Sequence, residues 1–298
     1  MYGSRLWLTL RELVFLLLIP GILGWGEEGH YATCKIAEGY LNEEALAVVK
    51  QLLPASAKGD LASVCSWPDD IRKQYRWSSA LHFADTPDFK CNYEYCRDCH
   101  DTAGNKDRCV TGAIYNYTKQ LSGYQDPIVK SKYNLTEALL FLSHFFGDVH
   151  QPLHMGYLGD LGGNLIPIHW YDKNTNLHRV WDDMIIDSAL KSFYDSDLRK
   201  MIQDIQRKIE NGWSSDASTW TICENNRIVC PDLYASESII SACKFAYTNA
   251  TSGSTLGDEY FLSRLPVVEK KLAKGGVRLA ATLNRIFSYK AKLAVAEA

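Results

Sequence analysis

The most restrictive feature of this sequence is a segment, residues 134–149, that is apolar almost all round yet carries two ionisable side chains. Its leucines and phenylalanines, a capping asparagine at its start and Pro152 beyond its end predict a helix buried in the centre of a bundle. His144 and Asp148 stand four residues apart, so they project from one face on successive turns. A lone buried histidine more often has a hydrogen-bonded structural role. Burying this pair is costly unless it is paired or binds a metal, which favours a metal site.

The distribution of histidine supports this interpretation. All eight histidines lie between His30 and His178, and none follows. Imidazole nitrogen and carboxylate oxygen are standard zinc ligands. The same four-residue spacing recurs at His178 and Asp182, and His154, just past a proline, could complete that second group. One such spacing is weak evidence, whereas two copies with an additional histidine strengthen the prediction of a metal site.

A third set of candidate residues stands in segments flanking these helices. Asp69 and His82 are expected to supply ligands from loops. Arg72 could contact a phosphate oxygen and stabilise charge that develops during a reaction. The alternative is a structural ion pair between Arg72 and Asp69 or Asp70.

The first 24 residues read as a secretory signal peptide. Two arginines precede the apolar run at residues 13–19, and a proline and two glycines follow it, as in a cleavage region. A membrane anchor is the alternative, but the run is too short to span a bilayer comfortably. We therefore expect a mature chain that begins at Trp25 and an extracellular or vacuolar protein without stable membrane insertion.

Cysteines and glycosylation signals agree with the secretory route. Nine cysteines in such a chain indicate disulfides, with one thiol left over. Cys96 and Cys99 have the spacing of a zinc or redox motif, but no second pair follows. Asn116, Asn134 and Asn249 each begin an N-x-T sequon and are expected to carry glycans.

Composition and periodicity predict a single, mostly α-helical domain. The 298 residues are 46% hydrophobic, strand signals are few and no internal break favours two domains. The net charge is −3, whereas a protein that binds duplex DNA through its phosphates is expected to have a basic surface. Besides 134–149, helical periodicity covers residues 31–53, 180–193, 197–211, 233–247, 258–265 and 267–287.

Taken together, these motifs resemble the S1/P1 nucleases, most closely their plant members, the bifunctional nucleases. The resemblance spans nearly all of the chain after residue 24 and implies an all-α fold stapled by disulfides. It is carried by an ordered set of motifs: W-G-x-x-G-H from Trp25, W-P-D-x-x-R from Trp67, L-H-F-x-D from Leu81, H-x-x-x-D-x-H-Q-P-x-H from His144, G-G-N from Gly162 and H-x-x-x-D from His178.

The resemblance implies three zinc ions and assigns their ligands. The new N-terminus at Trp25 would chelate the first ion through its amino group and carbonyl oxygen, so signal cleavage becomes a condition for activity. The three ligand sets are Trp25, His30 and Asp148; Asp69, His82, His144 and the same Asp148; and His154, His178 and Asp182.

It also implies the chemistry. Single-stranded RNA and DNA would be cut to products with 5′-phosphates, and 3′-nucleotides would be substrates too. The zinc ions would lower the pKa of the attacking water, and Asp85 would orient or deprotonate that water. Arg72 would neutralise the charge that accumulates on phosphorus. Phe83 would stack an unpaired base and Asn164 would bind substrate. Core packing is the alternative for Phe83.

Further implications concern disulfides and the C-terminus. The resemblance leaves Cys96 unpaired, suggests that residues 288–298 are a tail lost on maturation, and gives a domain of residues 25–287 that we expect to be monomeric. A zinc phospholipase C, with a similar three-metal site, and a secreted binding protein with structural zinc remain as alternatives. The implied disulfides are Cys34–Cys65, Cys91–Cys243, Cys99–Cys109 and Cys223–Cys230.

Overall fold

The computed structural model describes residues 25–288. The expected signal peptide at 1–24 and, apart from residue 288, the expected tail lie outside the described residues. The chain within that range is mainly helical, which confirms the predicted fold class. Its α-helices are α1 (Glu27–Glu38), α2 (Glu43–Leu52), α3 (Trp67–Ile71), α4 (Tyr95–Asp98), α5 (Val110–Ser122), α6 (Pro127–Lys132), α7 (Leu135–Asp148), α8 (Leu177–Arg179), α9 (Ile185–Phe193), α10 (Leu198–Arg207), α11 (Ser214–Trp220), α12 (Pro231–Ser241) and α13 (Asp258–Phe287).

Shorter elements connect these helices. Three π-helical turns continue α8, α10 and α12, at Val180–Met184, Lys208–Gly212 and Ala242–Ala246. Turns of 3₁₀ helix lie at Ala55–Ala57, Ala62–Val64, Arg76–Leu81, Pro152–Met155, Leu158–Asp160 and Glu224–Asn226. A small sheet in the order β2-β1-β3 is formed by β1 (Pro167–Trp170), antiparallel to β2 (Lys173–Asn176) and parallel to β3 (Thr255–Leu256). Within the described residues, no helix is both long and apolar enough to cross a membrane.

Helix α7 is the centre of the domain, as its sequence predicts. Every side chain from Ala138 to Asp148 is buried, and α1, α2, α3, α5 and α13 pack around it. The Asn134 side chain accepts a hydrogen bond from the Glu137 amide and caps the helix. Because α7 is enclosed on all sides, its two ionisable residues are held in the interior.

One expectation about helices was wrong, and the long helix α5 was not expected. Periodicity predicted separate helices at residues 258–265 and 267–287, but α13 runs without a break through Pro266. The proline removes one hydrogen bond, yet Leu265 and Val268 on either side of it are buried in the same core, which holds the helix together. Helix α5 was not predicted, because its β-branched residues and glycine are weak helix formers. Packing against α7 stabilises it.

Four disulfides staple the domain, and Cys96 is an exposed free thiol. They are the same pairs that the resemblance implies: Cys34–Cys65, Cys91–Cys243, Cys99–Cys109 and Cys223–Cys230. The first joins α1 to the segment that leads into α3.

Candidate metal centre

Asp148, at the end of α7, forms a first cluster with three of the imidazoles that lie around it. Its Oδ2 is 3.2 Å from His144 Nε2 and 3.1 Å from His82 Nδ1. Its Oδ1 is 3.5 Å from Nε2 of His30, which α1 supplies. All four side chains are fully buried, so the structure brings residues from three separate segments to one carboxylate.

Asp69 closes this cluster from α3. Its Oδ1 is 3.5 Å from His82 Nδ1, and its Oδ2 lies 3.7 Å from His144 Nε2 and 3.9 Å from His30 Nε2. The rings of His30 and His144 stack with their centres 3.7 Å apart. Five donor residues therefore surround one small volume, with donor atoms close enough to share metal ions.

A second cluster lies on the other side of Asp148. His178 Nε2 is 3.2 Å from Asp182 Oδ2, and His154 Nε2 is 3.8 Å from Asp182 Oδ1. His154 Nδ1 is also 3.4 Å from Asp148 Oδ1, which links the two clusters. The structure thus places His154 beside the second helical pair, as the sequence suggested.

Backbone carbonyls fix the direction of several imidazoles. His144 Nδ1 lies 2.8 Å from the Cys65 carbonyl oxygen, and His178 Nδ1 lies 2.7 Å from that of Gly162. Such contacts place the proton on Nδ1 and turn the Nε2 lone pair toward the cluster. Gly162 has φ of +61°, and a Cβ there would come within 2.3 Å of a backbone oxygen, so only glycine fits this approach.

Several buried polar atoms in the first cluster make no hydrogen bond with the described residues. They are both ring nitrogens of His30, Nε2 of His82 and both carboxylate oxygens of Asp148. Buried polar groups without partners are rare because each loses its hydration. Imidazole and carboxylate donors within 4.8 Å of one another fit divalent zinc, which would satisfy them.

Burial and neighbouring charges shift the pKa values of the cluster residues in different directions. Burial alone would raise the pKa of Asp148, but His144 and His154 hold it well below its usual range. Burial would lower the pKa of His144, yet Asp148 and Asp69 raise it to about 9. Burial and the neighbouring His144 lower the pKa of His30 to about 4. His30 therefore stays neutral, with a lone pair available for a metal.

Trp25 lies at the edge of this centre. Its side chain is fully buried, and the next amide, Gly26 N, donates to the Asp182 carbonyl oxygen over 3.1 Å. The approach is close because a Cβ at Gly29 would fall 2.7 Å from the Trp25 Cβ. The start of the described chain is thus packed between α1 and the second cluster.

Of the candidate catalytic and substrate-binding residues, Arg72 contacts a cluster residue directly. Arg72 Nη1 is 3.4 Å from Asp69 Oδ1, so Arg72 forms the ion pair that the sequence offered as an alternative to phosphate binding. Burial, and then the nearby charge of Asp160, raise the pKa of Asp85 to about 7. Phe83 is half-buried and lies outside the hydrophobic core. Asn164 is half-buried in the glycine loop beside His178 and donates to the Leu161 carbonyl oxygen.

Sequence reasoning gave no role to Gln151, which stands within the H-Q-P motif. Its Nε2 donates to Asp182 Oδ1 over 2.5 Å and so orients a candidate ligand. His150 of the same motif is fully buried between Phe146 O and Arg278 Nη1. His100 and His169 are exposed. The three sequon asparagines are also exposed, at Asn116, Asn134 and Asn249.

The fold and the site together define a mainly helical protein whose centre holds His/Asp groups suited to metal ions. The chain belongs to the S1/P1 nuclease family: it matches the model described as S1/P1 Nuclease over residues 25–288. It is 64% identical to Endonuclease 4 and 62% identical to Endonuclease 3, both of Arabidopsis thaliana, over at least 97% of each chain. It is 32% identical to Nuclease P1 of Penicillium citrinum, over 88% of this chain and 97% of that one. These relatives indicate a phosphodiesterase and favour a nuclease over a phospholipase C.

Proposed function

We propose that this chain is a secreted, zinc-dependent endonuclease that cuts single-stranded RNA and DNA, leaves 5′-phosphates and also acts on 3′-nucleotides. The observation that carries the proposal is the convergence of five histidines and three aspartates on two adjoining buried clusters, with Asp148 between them. Structural zinc sites are usually closed and rich in cysteine, whereas these are His/Asp groups that share a carboxylate.

Three zinc ions fit these donors. Trp25, freed at its amino group by removal of residues 1–24, would hold the first with His30 and Asp148. Bound zinc would neutralise negative charge on the phosphate and lower the pKa of a water molecule. The remaining ligands would be Asp69, His82 and His144 with Asp148 for the second ion, and His154, His178 and Asp182 for the third.

The surrounding side chains supply the other functions. Asp85, whose pKa burial raises to about 7, can accept or release a proton near neutral pH and so act on the attacking water. Arg72 can extend its planar guanidinium from Asp69 to a phosphate oxygen. Phe83, outside the core, and Asn164 would position a nucleotide, which suits strands whose bases are unpaired.

The decisive experiment combines metal analysis with activity. Protein secreted from eukaryotic cells should contain three zinc ions per molecule and a mature N-terminus at Trp25. Chelation should abolish release of nucleotides from single-stranded RNA, and zinc should restore it. Fewer than two ions in active protein would overturn the assignment.

Two controls address the alternatives. Hydrolysis of phosphatidylcholine in place of RNA would identify a phospholipase C, and zinc binding without either activity would identify a binding protein. A variant secreted with one extra residue before Trp25 should lose most activity, because the amino group can no longer reach the first ion. Loss of mass on glycosidase treatment would test the three sequons, and light scattering would test the expected monomer.

A further inference from the structure

Phe89 is an aromatic side chain that the candidate centre does not use. It lies four residues after Asp85, and 87% of its surface is exposed, more than for any other large hydrophobic residue found exposed within 25–288. Isolated exposed apolar residues are common on protein surfaces. Exposure alone therefore assigns no role, and the backbone and surroundings of Phe89 carry the argument.

The backbone of Phe89 is held in the left-handed region, with φ of +62°. This conformation is uncommon for a bulky residue and costs of the order of 1 kcal/mol. The Lys90 amide donates to the Pro87 carbonyl oxygen over 3.0 Å and closes the turn around it. A strained conformation persists only where the surrounding structure fixes it, and this one presents a large ring to solvent.

The loop that carries Phe89 is fixed at both ends. The Thr86 amide donates to Gly156 O, and the Leu158 amide donates to Thr86 O, over 2.8 and 2.9 Å. Asp88 Oδ1 accepts a hydrogen bond from Gly159 N over 2.7 Å. Two residues after Phe89, the Cys91–Cys243 disulfide ties the loop to the π-helical turn that continues α12. The ring is therefore carried on a rigid frame.

This frame leads back to the candidate catalytic residue. The Phe89 ring lies 5.8 Å from that of Tyr157, which stacks on Tyr247 at 4.4 Å. The Tyr247 hydroxyl donates to Asp160, and the charge of Asp160 acts on Asp85. The exposed ring of Phe89 and the carboxylate of Asp85 are thus connected through one small group of residues, formed by Tyr157, Tyr247 and Asp160.

We propose that Phe89 is a substrate-positioning residue that stacks an unpaired nucleobase of the strand next to the cleaved phosphodiester bond. Every base has an aromatic face, so one rigid ring binds single strands with little sequence preference. Lys90, exposed beside it, adds a cation for the strand's phosphates. The proposal rests on the proposed nuclease function and adds a stacking position separate from Phe83.

Phe89→Ala tests the proposal through substrates of different length. On single-stranded oligonucleotides the variant should show a KM raised about tenfold with kcat nearly unchanged, because one base–aromatic stack is lost. On a mononucleoside 3′-phosphate, which has no neighbouring base, both constants should match the parent enzyme. Phe89→Trp should restore the oligonucleotide KM.

A second readout needs no turnover. A phosphorothioate oligonucleotide that carries 2-aminopurine should lose fluorescence on binding the zinc-loaded parent enzyme and the Phe89→Trp variant, and less so with Phe89→Ala. Phe89→Gly, which removes the ring and relieves the left-handed strain, should bind as weakly as alanine while its Tm stays equal or rises. Phe193→Ala, at another exposed phenylalanine on α9, is the matched control and should leave KM unchanged.

The failures are distinguishable. If the parent enzyme cuts no single-stranded nucleic acid, the proposed function itself is wrong. If the parent enzyme is active but the Phe89→Ala variant has the same KM for oligonucleotides as the parent, the stacking role alone is overturned. A lower Tm with equal losses on long and short substrates would show that Phe89 is structural, and would overturn it as well.

Discussion

Asp148 is the side chain on which the candidate centre depends most. It approaches His30, His82, His144 and His154 within 3.5 Å, and its carboxylate oxygens have no hydrogen-bond partner among the described residues. A single negative charge at this position would serve two ions.

We predict that Asp148→Asn loses at least one zinc ion and most of the activity. The amide keeps the shape but removes the charge, so the loss should exceed the roughly 100-fold caused by removing outer partners of metal ligands. Elemental analysis and RNA hydrolysis measure both effects. Asp98→Asn is the matched control: Asp98 is equally buried but paired with Arg97, so stability should fall while zinc is retained. A fully active Asp148→Asn protein would refute the shared-ligand assignment.

Gln151 supports a prediction of finer effect. Burial raises the pKa of Asp182 well above its usual range, and the hydrogen bond that the Gln151 amide donates to this carboxylate opposes the rise. Gln151→Leu should weaken zinc binding at the third site about 10–100-fold, since the carboxylate loses its orienting partner. Titration against a competing chelator measures the affinity. Equal retention of all three ions by variant and parent would contradict the role.

At the scale of elements, the contact between α1 and α13 depends on two adjacent glycines. A Cβ at Gly276 would lie 2.5 Å from Ile36 Cγ2 and 2.9 Å from the Thr33 carbonyl oxygen. A Cβ at Gly275 would lie 3.1 Å from the Thr33 methyl group, its nearest neighbour. Close approach of the helices is therefore required at Gly276 and far less at Gly275.

These neighbours form a matched pair of variants. Gly276→Ala should lower the free energy of unfolding by about 1–3 kcal/mol, because the added methyl group overpacks a rigid contact. Gly275→Ala should be neutral or stabilise by up to about 1 kcal/mol, since alanine is the better helix former. Urea unfolding of the zinc-loaded protein measures both. Equal effects of the two substitutions would show that the helices separate freely.

The molecule as a whole also contains a buried charge network made of residues that are not candidate metal ligands. Lys271 of α13 is buried and donates to Ser238 Oγ over 3.1 Å. Burial lowers its pKa to about 7; Lys274 and Arg278 lower it as well, and Glu237 opposes them. Between about pH 7 and 10 the unfolded chain holds a proton here that the folded chain lacks, so this group makes stability rise with pH.

We predict that Lys271→Met stabilises the protein by roughly 2–4 kcal/mol at pH 6, where the parent must bury a charged amine. The advantage should shrink steadily as pH approaches 10. Denaturant unfolding of both proteins from pH 6 to 10 gives the difference between their free energies of unfolding. The contributions of the other titrating groups are the same in both proteins and cancel in this difference. A difference independent of pH would show that Lys271 keeps its ordinary pKa in the fold.

Sequence by itself determined the central helix and the two His/Asp pairs of the candidate metal centre. The apolar surroundings of His144 and Asp148 predicted burial, and a four-residue spacing on a helix fixes a common face whatever the rest of the chain does. The second pair, His178 and Asp182, follows from the same local geometry. The order of the motifs also predicted the family, which the comparisons confirm.

Tertiary structure decided which segments meet, and spacing and periodicity do not describe this. His82 reaches Asp148, and Asp69 reaches His144, across more than sixty residues; before the structure, only the family resemblance implied that they belong together. Gln151 reaches Asp182 in the same way, because the chain packs in three dimensions. Helix α5 and the unbroken α13 exist because burial against neighbours outweighs weak local propensity. The loop that holds Phe89 in its left-handed backbone conformation is likewise fixed by long-range hydrogen bonds and a disulfide, in addition to its own local turn.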